Sequence, residues 1–517
     1  MALSSILKKK CPTCGKVAVE KSSSDLGTTK MITLECGHVI FSNTLAAVSD
    51  EIISLDGRRL MKYQLDAVAF AEKADARCLI ADEQGLGKTV EAGALLALHL
   101  EQLTPAIIVT KTRVKVQMMR EMMRWTKSKK VQAIFTAKEV AIPGFDIIVT
   151  TYDMLKNPEV FSMINIKTLV LDECQQIKNH TSGRAKAVQQ LVKSHGIEHI
   201  IGLSGTPIKN HAGEYFTILN LLDPIRFPSW QRFIDVHCDS YNNGWGTKVG
   251  GLKNPDLFHE MTKDIIIRRT KAQVLPDLPE KTRSFEYVEM DTKLNKAYGE
   301  ALKELEELMY SEEANSFEAN SNKIAIMTKM REIVGVGKVD SCVDFTTDFL
   351  LSSTDRKLVI FVHHHSVQAY LEAKLNQWLA EGGYAPCLLL KSGSGGDIGE
   401  QFRVGPNRIL IASTLSAGEG LNLQFCSDAI MMERQLNPAN EEQAEDRFHR
   451  YGQENKVNIT YMIGAGTIDD FFTELVEQKR AIMSSTLDNK KIQWDQQSLM
   501  SDLAIALTTR GKQRWSL

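Results

Sequence analysis

The sequence predicts an α/β protein of two lobes, each a parallel sheet covered by helices, with helical insertions between them and a small separate module in front. Three observations predict it. From about residue 52 to 285, apolar strand-like runs alternate with amphipathic segments, the pattern of parallel strands joined by helical crossovers. A second series of the same kind follows between residues 346 and 480. In the first series a Gly-rich turn stands between a strand and a helix, where an α/β sheet presents its ligands.

Composition bounds the answer. At 517 residues, with 43% apolar and 24% charged side chains, the chain is too long for one ordinary core and has the profile of a soluble globular protein of two or more domains. A formal net charge of −2 excludes a global basic excess, so any nucleic-acid surface must be a local cluster of Lys and Arg backed by hydroxyl and amide donors. No apolar run approaches the roughly 20 residues of a membrane span. The start, MALSSILKKK, puts its basic residues after a short apolar part, the wrong order for a secretory signal. A cytoplasmic or nucleoid-associated location with no membrane partner is therefore expected. Of nine cysteines, three cluster near the N-terminus and the rest are scattered, which fits a reduced compartment better than a disulfide framework.

Residues 1–48 carry their own chemistry. Cys11-Pro-Thr-Cys14-Gly15 is a tight knuckle and Cys36-Gly37-His38 offers two more soft ligands, after Val17–Val19 and Met31–Leu34, which read as short strands. Three thiolates and an imidazole (Cys11, Cys14, Cys36, His38) make a closed tetrahedral Zn²⁺ set, so a zinc-ribbon-like module folded by its metal is expected. The bland alternative is three unconnected thiols and an exposed histidine. The ligands leave open whether such a module binds DNA, binds protein or braces its neighbour.

Residues 49–285 form the first lobe. Its expected strands are Cys78–Ala81, Ala106–Val109, Asp146–Val149, Thr168–Leu171 and His199–Leu203. Between the first of these and a helical run from Val90 to Leu100 lies Asp82-Glu-Gln-Gly-Leu-Gly-Lys-Thr89, a phosphate-cradling loop. Backbone N–H groups around Gly85 and Gly87 would hold nucleotide phosphates, Lys88 would reach the β/γ oxygens, and the Thr89 hydroxyl would ligate Mg²⁺. The loop departs from the usual pattern at its first glycine, which is Asp82. The fourth strand ends in Asp172-Glu173-Cys174-Gln175. There Asp172 would hold the Mg²⁺ and Glu173 would orient or deprotonate the attacking water of an ATP hydrolase.

Residues 286–345 are expected to be a helical insertion. Leu294, Tyr298, Ala301, Leu302, Leu305 and Leu308 form one apolar stripe, and Ile326, Met330 and Ile333 another, with the Ser/Glu/Asn-rich stretch Ser311–Asn322 as a loop between them. The second lobe, residues 346–480, has expected strands at Lys357–Val362, Pro386–Leu390, Arg408–Ala412, Ala429–Met432 and Val457–Tyr461. It also carries the run from Gln443 to Gln453, in which Arg447 and Arg450 are three apart and share one face if helical. Such guanidinium groups could stabilise the charge developing on a γ-phosphate. Residues 481–517 read as an amphipathic or loose extension ending in a basic, aromatic tip.

The ordered set Gln64, DEQGLGKT, PAIIVT (Pro105–Thr110), DIIVTTY (Asp146–Tyr152), DECQ, LSGTP, IRRTKAQVLPDLPEK (Ile267–Lys281), STLSAGEGLNL (Ser413–Leu423) and QAEDRFHRYGQ resembles the Swi/Snf-type ATPases of helicase superfamily two. The resemblance covers about residues 52–475, and the stretch Gln443–Asp470 is most similar to the HepA-related annealing helicases, which rewind DNA and remodel forks. It implies two RecA-like lobes and ATP-driven translocation along double-stranded or forked DNA by a monomer, in replication, recombination or repair. Carried over by residue, Gln64 would read the adenine, Ser204 and Thr206 would couple hydrolysis to lobe movement, Gly420 would sit by the nucleotide, and Gln443, Arg447 and Arg450 would complete the site. Thr110, Lys111, Thr150, Thr151, Ser413 and Thr414 would line the DNA backbone track. Three departures stand out: Leu436 fills a slot where the family usually has tryptophan, Lys391–Phe402 is short and lacks the usual arginine, and Glu419 adds a negative charge to a loop expected near phosphates. Alternative outputs for the same chain are a motor that displaces or recycles a DNA-bound protein such as RNA polymerase, a strand-separating helicase, or an adaptor that binds a protein partner through its zinc module while the motor is vestigial.

Overall fold

The computed structural model describes residues 20–26, 29–36, 39–43, 52–205, 212–242, 247–309, 317–390, 398–414, 421–435 and 437–486. The chain divides into two compact units, Met1–Pro276 and Asp277–Leu517. Among the described residues no helix is long and apolar enough to cross a membrane.

In the first unit, β1 (Glu20–Leu26), β2 (Thr29–Leu34) and β3 (Val39–Asn43) form an antiparallel meander in the order β1-β2-β3. The strand expected at Met31–Leu34 falls within β2, whereas Val17–Val19 lies outside the described residues. The main sheet is built from β4 (Arg77–Ile80), β5 (Ala106–Thr110), β6 (Val131–Ala133), β7 (Ile147–Thr151), β8 (Thr168–Asp172), β9 (His199–Leu203) and β12 (Ile266–Ile267). Its order is β12-β4-β9-β8-β5-β7-β6 and its pairings are parallel. A hairpin of β10 (Cys238–Asn242) and β11 (Thr247–Leu252) stands apart.

The strands form because AIIVT, IIVTT and TLVLD are near-continuous β-branched or leucine runs, which suits a sheet covered on both faces. Alternation sends Ile107, Ile148, Leu169 and Ile200 into one core and Ile108, Ile147, Val170 and Ile201 into the other. Each such side chain contributes about 1.5–3 kcal/mol on burial. The helix Gly183–His195 shows how local chemistry sets its limits: the Ser182 hydroxyl accepts the Ala185 N–H at 3.2 Å, and Gly196 at φ 62° closes the far end. Register then decides the site, since Ile80 and Asp172 both lie opposite Leu203. The carboxyl ends of β4, β8 and β9 therefore share one edge.

The second unit holds a parallel sheet of β13 (Lys281–Val288), β14 (Leu358–Val362), β15 (Leu388–Leu390), β16 (Ile409–Ser413), β17 (Asp428–Met431) and β18 (Val457–Gly464), in the order β13-β18-β17-β14-β16-β15. β13 is an edge strand whose sequence, KTRSFEYV, has too many polar residues to read as a parallel strand. The two apolar stripes form the helices Thr292–Met309 and Phe317–Gly337, and they pack with the helix Ile468–Thr486 through Tyr298, Leu305, Met330, Val334, Ile468 and Phe472. The second of these helices starts inside the stretch expected as loop, taking in residues 317–322. The buried Lys338 ammonium fixes this layer to the sheet, donating to Asp469 Oδ2 at 2.5 Å and to the Met462 carbonyl at 3.0 Å.

Candidate functional site

The loop after β4 turns through Gly85 (φ 89°) and Gly87 (φ 90°), a left-handed backbone that side chains with a Cβ resist. Gly87 is doubly constrained, because a Cβ there would lie 2.5 Å from Gln64 Nε2. The helix Lys88–Leu98 begins directly after it with no side-chain cap, so its first-turn N–H groups face the loop's concavity, an arrangement suited to an anion. Lys88 Nζ donates to the carbonyls of Asp82 (2.7 Å) and Glu83 (3.2 Å). Burial lowers its pKa, while the charges of Glu173, Asp82, Glu91 and Asp172 oppose that shift. Thr89 is half-buried on the same turn.

Gln64 is buried on the helix Lys62–Lys73, where its Oε1 accepts the Met61 N–H at 3.0 Å and its Nε2 donates to the Leu86 carbonyl at 3.0 Å. The Tyr63 hydroxyl donates to the same carbonyl, also at 3.0 Å. The residue expected at the adenine thus fastens its helix to the phosphate loop.

At the end of β8 the two carboxylates diverge. Asp172 Oδ2 accepts the Thr110 hydroxyl at 2.6 Å, and the Asp172 carbonyl accepts the Tyr152 hydroxyl at 2.7 Å. Glu173 sits at φ 51°, an uncommon backbone for a residue of its kind, and its side chain takes different partners from that of Asp172. Its Oε2 accepts Gln175 Nε2, and Gln175 Oε1 accepts the Ser204 hydroxyl at 2.7 Å. A chain of hydrogen bonds therefore runs from Ser204, after β9, to Glu173. Gly205 presses on the phosphate loop, since a Cβ there would meet Gln84 Cγ at 2.3 Å and the Gln84 backbone nitrogen at 3.2 Å. Thr206 lies outside the described residues.

Burial, followed by the charge of Glu173, pushes the Asp172 carboxyl up to about 6, while the Thr110 hydrogen bond and the charges of Lys88 and Lys111 hold it down. A prediction follows for the free protein. Below about pH 6 Asp172 is protonated, so kcat/KM for ATP should fall by about tenfold per pH unit. Thr110→Val, which removes a bond that favours the charged form, should move the midpoint upward. A pH profile with the same midpoint in both proteins would refute this. The sign for stability is opposite: the native state takes up this proton more readily than the unfolded chain, so as pH falls from about 6 toward the ordinary carboxylate range the native state gains.

The residues expected to face DNA divide. Thr110 is buried and gives its hydroxyl to Asp172 rather than to solvent, and Thr150 and Thr151 are buried at the end of β7. Lys111 is half-buried and acts electrostatically on Asp172. In the second unit Ser413 ends β16 half-buried and Thr414 is 1% exposed.

Gln443 is buried on the helix Pro438–Glu445, which Asn437 caps by accepting the Ala439 N–H at 3.1 Å. That helix stops at Glu445, so Arg447 and Arg450 do not share a helical face as the spacing suggested. They lie in a turn closed by Gly452 at φ 91°. The turn is pinned to the segment before β17: Arg447 O accepts the Leu423 N–H at 3.2 Å, Arg450 Nη1 donates to Asn422 Oδ1 at 2.8 Å, and Gln453 Nε2 donates to the Cys426 carbonyl at 2.8 Å. Gly420 lies outside the described residues, as do Cys11, Cys14 and His38; Cys36 is half-buried. Among the described residues no group of three or more side chains is placed to hold a metal ion.

Sequence reasoning missed Gln175 and Arg269. Gln175 stands two residues after Glu173, separated from the acidic pair by Cys174. Arg269 Nε lies 3.1 Å from both oxygens of Asp82, and its Nη2 also bonds Asp82 Oδ2. The signal was present in the departure at Asp82, because a buried carboxylate at a glycine position requires a cation.

A family model described as the SNF2-related domain matches residues 63–336, and one described as the helicase conserved C-terminal domain matches residues 337–452. The chain is 28% identical over 452 residues to the mouse (Mus musculus) "DNA annealing helicase and endonuclease ZRANB3", covering 84% of this chain and 41% of that protein. It is 29% identical over 450 residues to the Caenorhabditis elegans "SWI/SNF-related matrix-associated actin-dependent regulator of chromatin subfamily A-like protein 1 homolog", covering 82% of this chain and 61% of that one. The chain thus spans less than two thirds of the length of these curated relatives. Among solved structures, the "Sulfolobus solfataricus SWI2/SNF2 ATPase core in complex with dsDNA" is matched at 21% identity with a TM-score of 0.40, over 84% of this chain and 94% of that one.

Proposed function

The chain belongs to the SNF2-related family of ATP-hydrolysing, helicase-superfamily enzymes, and from that premise we propose that it is a translocase on double-stranded DNA that remodels or rewinds branched or forked structures. One observation carries the motor part of this reading. The phosphate loop, the Asp172-Glu173 pair and Ser204 share one sheet edge, and Gln175 joins Glu173 to Ser204 by hydrogen bonds.

In this reading ATP phosphates lie on the N–H groups of the loop and Lys88 leaves the Asp82 and Glu83 carbonyls to reach them. Thr89 and Asp172 would hold Mg²⁺: the half-buried hydroxyl and half-buried carboxylate are hard oxygen donors that fit a divalent cation, which when bound would neutralise phosphate charge. Glu173 orients and deprotonates the water. Its tether to Ser204 gives loss of the γ-phosphate a route into the loop after β9. Arg447 and Arg450, held on a fixed turn of the second unit, are the cations offered to the transition state. The output on DNA is supported by the curated relative named as an annealing helicase. The zinc module is supported by the spacing of Cys11, Cys14, Cys36 and His38, and metal analysis of the purified chain would test it.

ATP hydrolysis measured with no nucleic acid, single-stranded DNA, duplex DNA, forked DNA and RNA tests the whole reading. Stimulation by duplex or forked DNA, with strand annealing rather than release of a displaced strand, is the expected result. A rate indifferent to every nucleic acid would overturn it.

A further inference from the structure

Asp82 is fully buried where a phosphate loop ordinarily starts with glycine, and the cation that meets it comes from the far end of the same unit, 187 residues along the chain. Arg269 Nε and Nη2 grip the Asp82 carboxylate. Nη2 also lies 3.3 Å from Glu91 Oε1, in the first turn of the helix that follows the loop. Nη1 donates to the Tyr63 carbonyl, next to Gln64, and the guanidinium lies 5.6 Å from the centre of the Tyr63 ring. Three pieces of the nucleotide half-site thus meet on one planar group.

The backbone repeats the connection. Ala81 N–H donates to the Ile267 carbonyl at 2.7 Å and Glu83 N–H to the Arg269 carbonyl at 2.9 Å, so the pairing of β12 with β4 continues into the loop. Lys271 N–H donates to Glu83 Oε2 at 2.7 Å, and Arg268 Nη1 donates to the Ala81 carbonyl at 3.0 Å. This segment runs on to Pro276, where the first unit ends.

We propose that Arg269 is a positioning residue for ATP: by holding Asp82, Glu91 and the Tyr63 carbonyl together, it sets the phosphate loop in its binding geometry before nucleotide arrives. The proposal rests on the reading of Asp82–Thr89 as the ATP phosphate loop. The carbonyls that receive Lys88 Nζ belong to Asp82 and Glu83, so both ends of the loop are fixed through residues that Arg269 and its neighbours hold. Two buried carboxylates with one guanidinium between them leave no slack. Burial and the charge of Asp82 push Glu91 well above the ordinary carboxylate range, against the pull of Arg269 and Lys88. A lysine cannot replace the planar fork that reaches all three groups. Loss of the clamp therefore loosens ground-state binding and leaves the water-activating pair on β8 untouched.

The test compares the full chain with Arg269→Lys, Asp82→Asn and Arg226→Lys. Arg226 is an equally well-paired arginine of the same unit, bidentate to Asp264 at 2.7 and 2.8 Å, and serves as the control for a purely structural loss. Steady-state ATP hydrolysis on duplex DNA, binding of a fluorescent ADP analogue and thermal melting are measured for each. The expected result is a rise in KM for ATP, and a matching loss of ADP-analogue affinity, of about tenfold in Arg269→Lys and in Asp82→Asn, with kcat within about twofold. Arg226→Lys should lower the melting temperature without that rise. Folded Arg269 and Asp82 variants with wild-type KM, or a KM rise in all three variants that follows melting temperature alone, would overturn the proposal. A wild-type chain that neither binds the analogue nor hydrolyses ATP would overturn the ATPase reading instead.

Discussion

Glu173→Gln should lower ATP turnover by about 10²–10⁴-fold while leaving nucleotide binding intact. The substitution is isosteric and conserves the reach to Gln175, so the fold around β8 has no cavity to absorb. What it removes is a charge and, in the proposed mechanism, the base. Of the two carboxylates, Glu173 is the one whose side chain is linked to Ser204 rather than to Thr110. Removing its charge also removes one of the causes that raise Asp172. Asp172 then ionises more readily, and affinity for Mg²⁺ and ATP stays level or improves. Turnover and binding should therefore separate: single-turnover hydrolysis lost, equilibrium binding of a fluorescent ATP analogue kept. A glutamine variant within about tenfold of the wild-type rate would assign the base elsewhere. Ser204→Ala should act more mildly, because it frees Gln175 without removing the base.

The strands of this protein were legible because parallel sheets covered on both faces demand apolar runs, and Ile107–Val109, Ile147–Val149 and Leu169–Leu171 supply them. The phosphate loop and the acidic pair were legible because their chemistry sits in a few consecutive residues. β13 was not, since an edge strand can be as polar as KTRSFEYV when it pairs with β18 through its backbone along its whole length. The hydroxyls of Thr110, Thr150 and Thr151 look in sequence like surface donors, yet a threonine at the end of a buried strand faces the interior, where Asp172 uses one of them. Asp82 signalled that a cation was needed but not which one, and the partners Arg269, 187 residues from Asp82, and Ser204, 29 residues from Gln175, leave no trace in local spacing. The same is true of Glu445, the last residue of its helix, whose partners come from β13 and from the helix Ile468–Thr486.

That end of the helix carries the second large effect. Glu445 is fully buried and accepts Lys281 Nζ at 2.7 Å, Arg283 Nε at 2.8 Å and Nη2 at 2.6 Å, and the Tyr461 hydroxyl at 2.6 Å. Arg480, from the helix Ile468–Thr486, lies 4.0 Å away and bonds Glu441 at 2.9 Å, which in turn holds the buried Arg434 at 2.9 and 3.0 Å. Burial would raise the Glu445 pKa, but Lys281, Arg283 and Arg480 overcome it and hold the carboxyl far below the usual range. Glu445→Gln leaves those cations without their shared anion and should cost the second unit about 3–5 kcal/mol. Tyr461→Phe removes a single hydroxyl and should cost about 1 kcal/mol. Calorimetry of the full chain separates the outcomes, since the transition of the second unit should drop while that of the first stays in place. Because a depressed carboxyl stabilises above its unfolded pKa, the gap between wild type and Glu445→Gln should be full at neutral pH and close as pH falls through the acidic range. Arginine-dependent turnover should be lost with it, for Arg447 stands two residues beyond Glu445 on the turn this cluster anchors. If Glu445→Gln shifts the second transition no further than Tyr461→Phe does, the buried cluster does not hold that turn, and the contacts of Asn422, Leu423 and Cys426 must hold it alone.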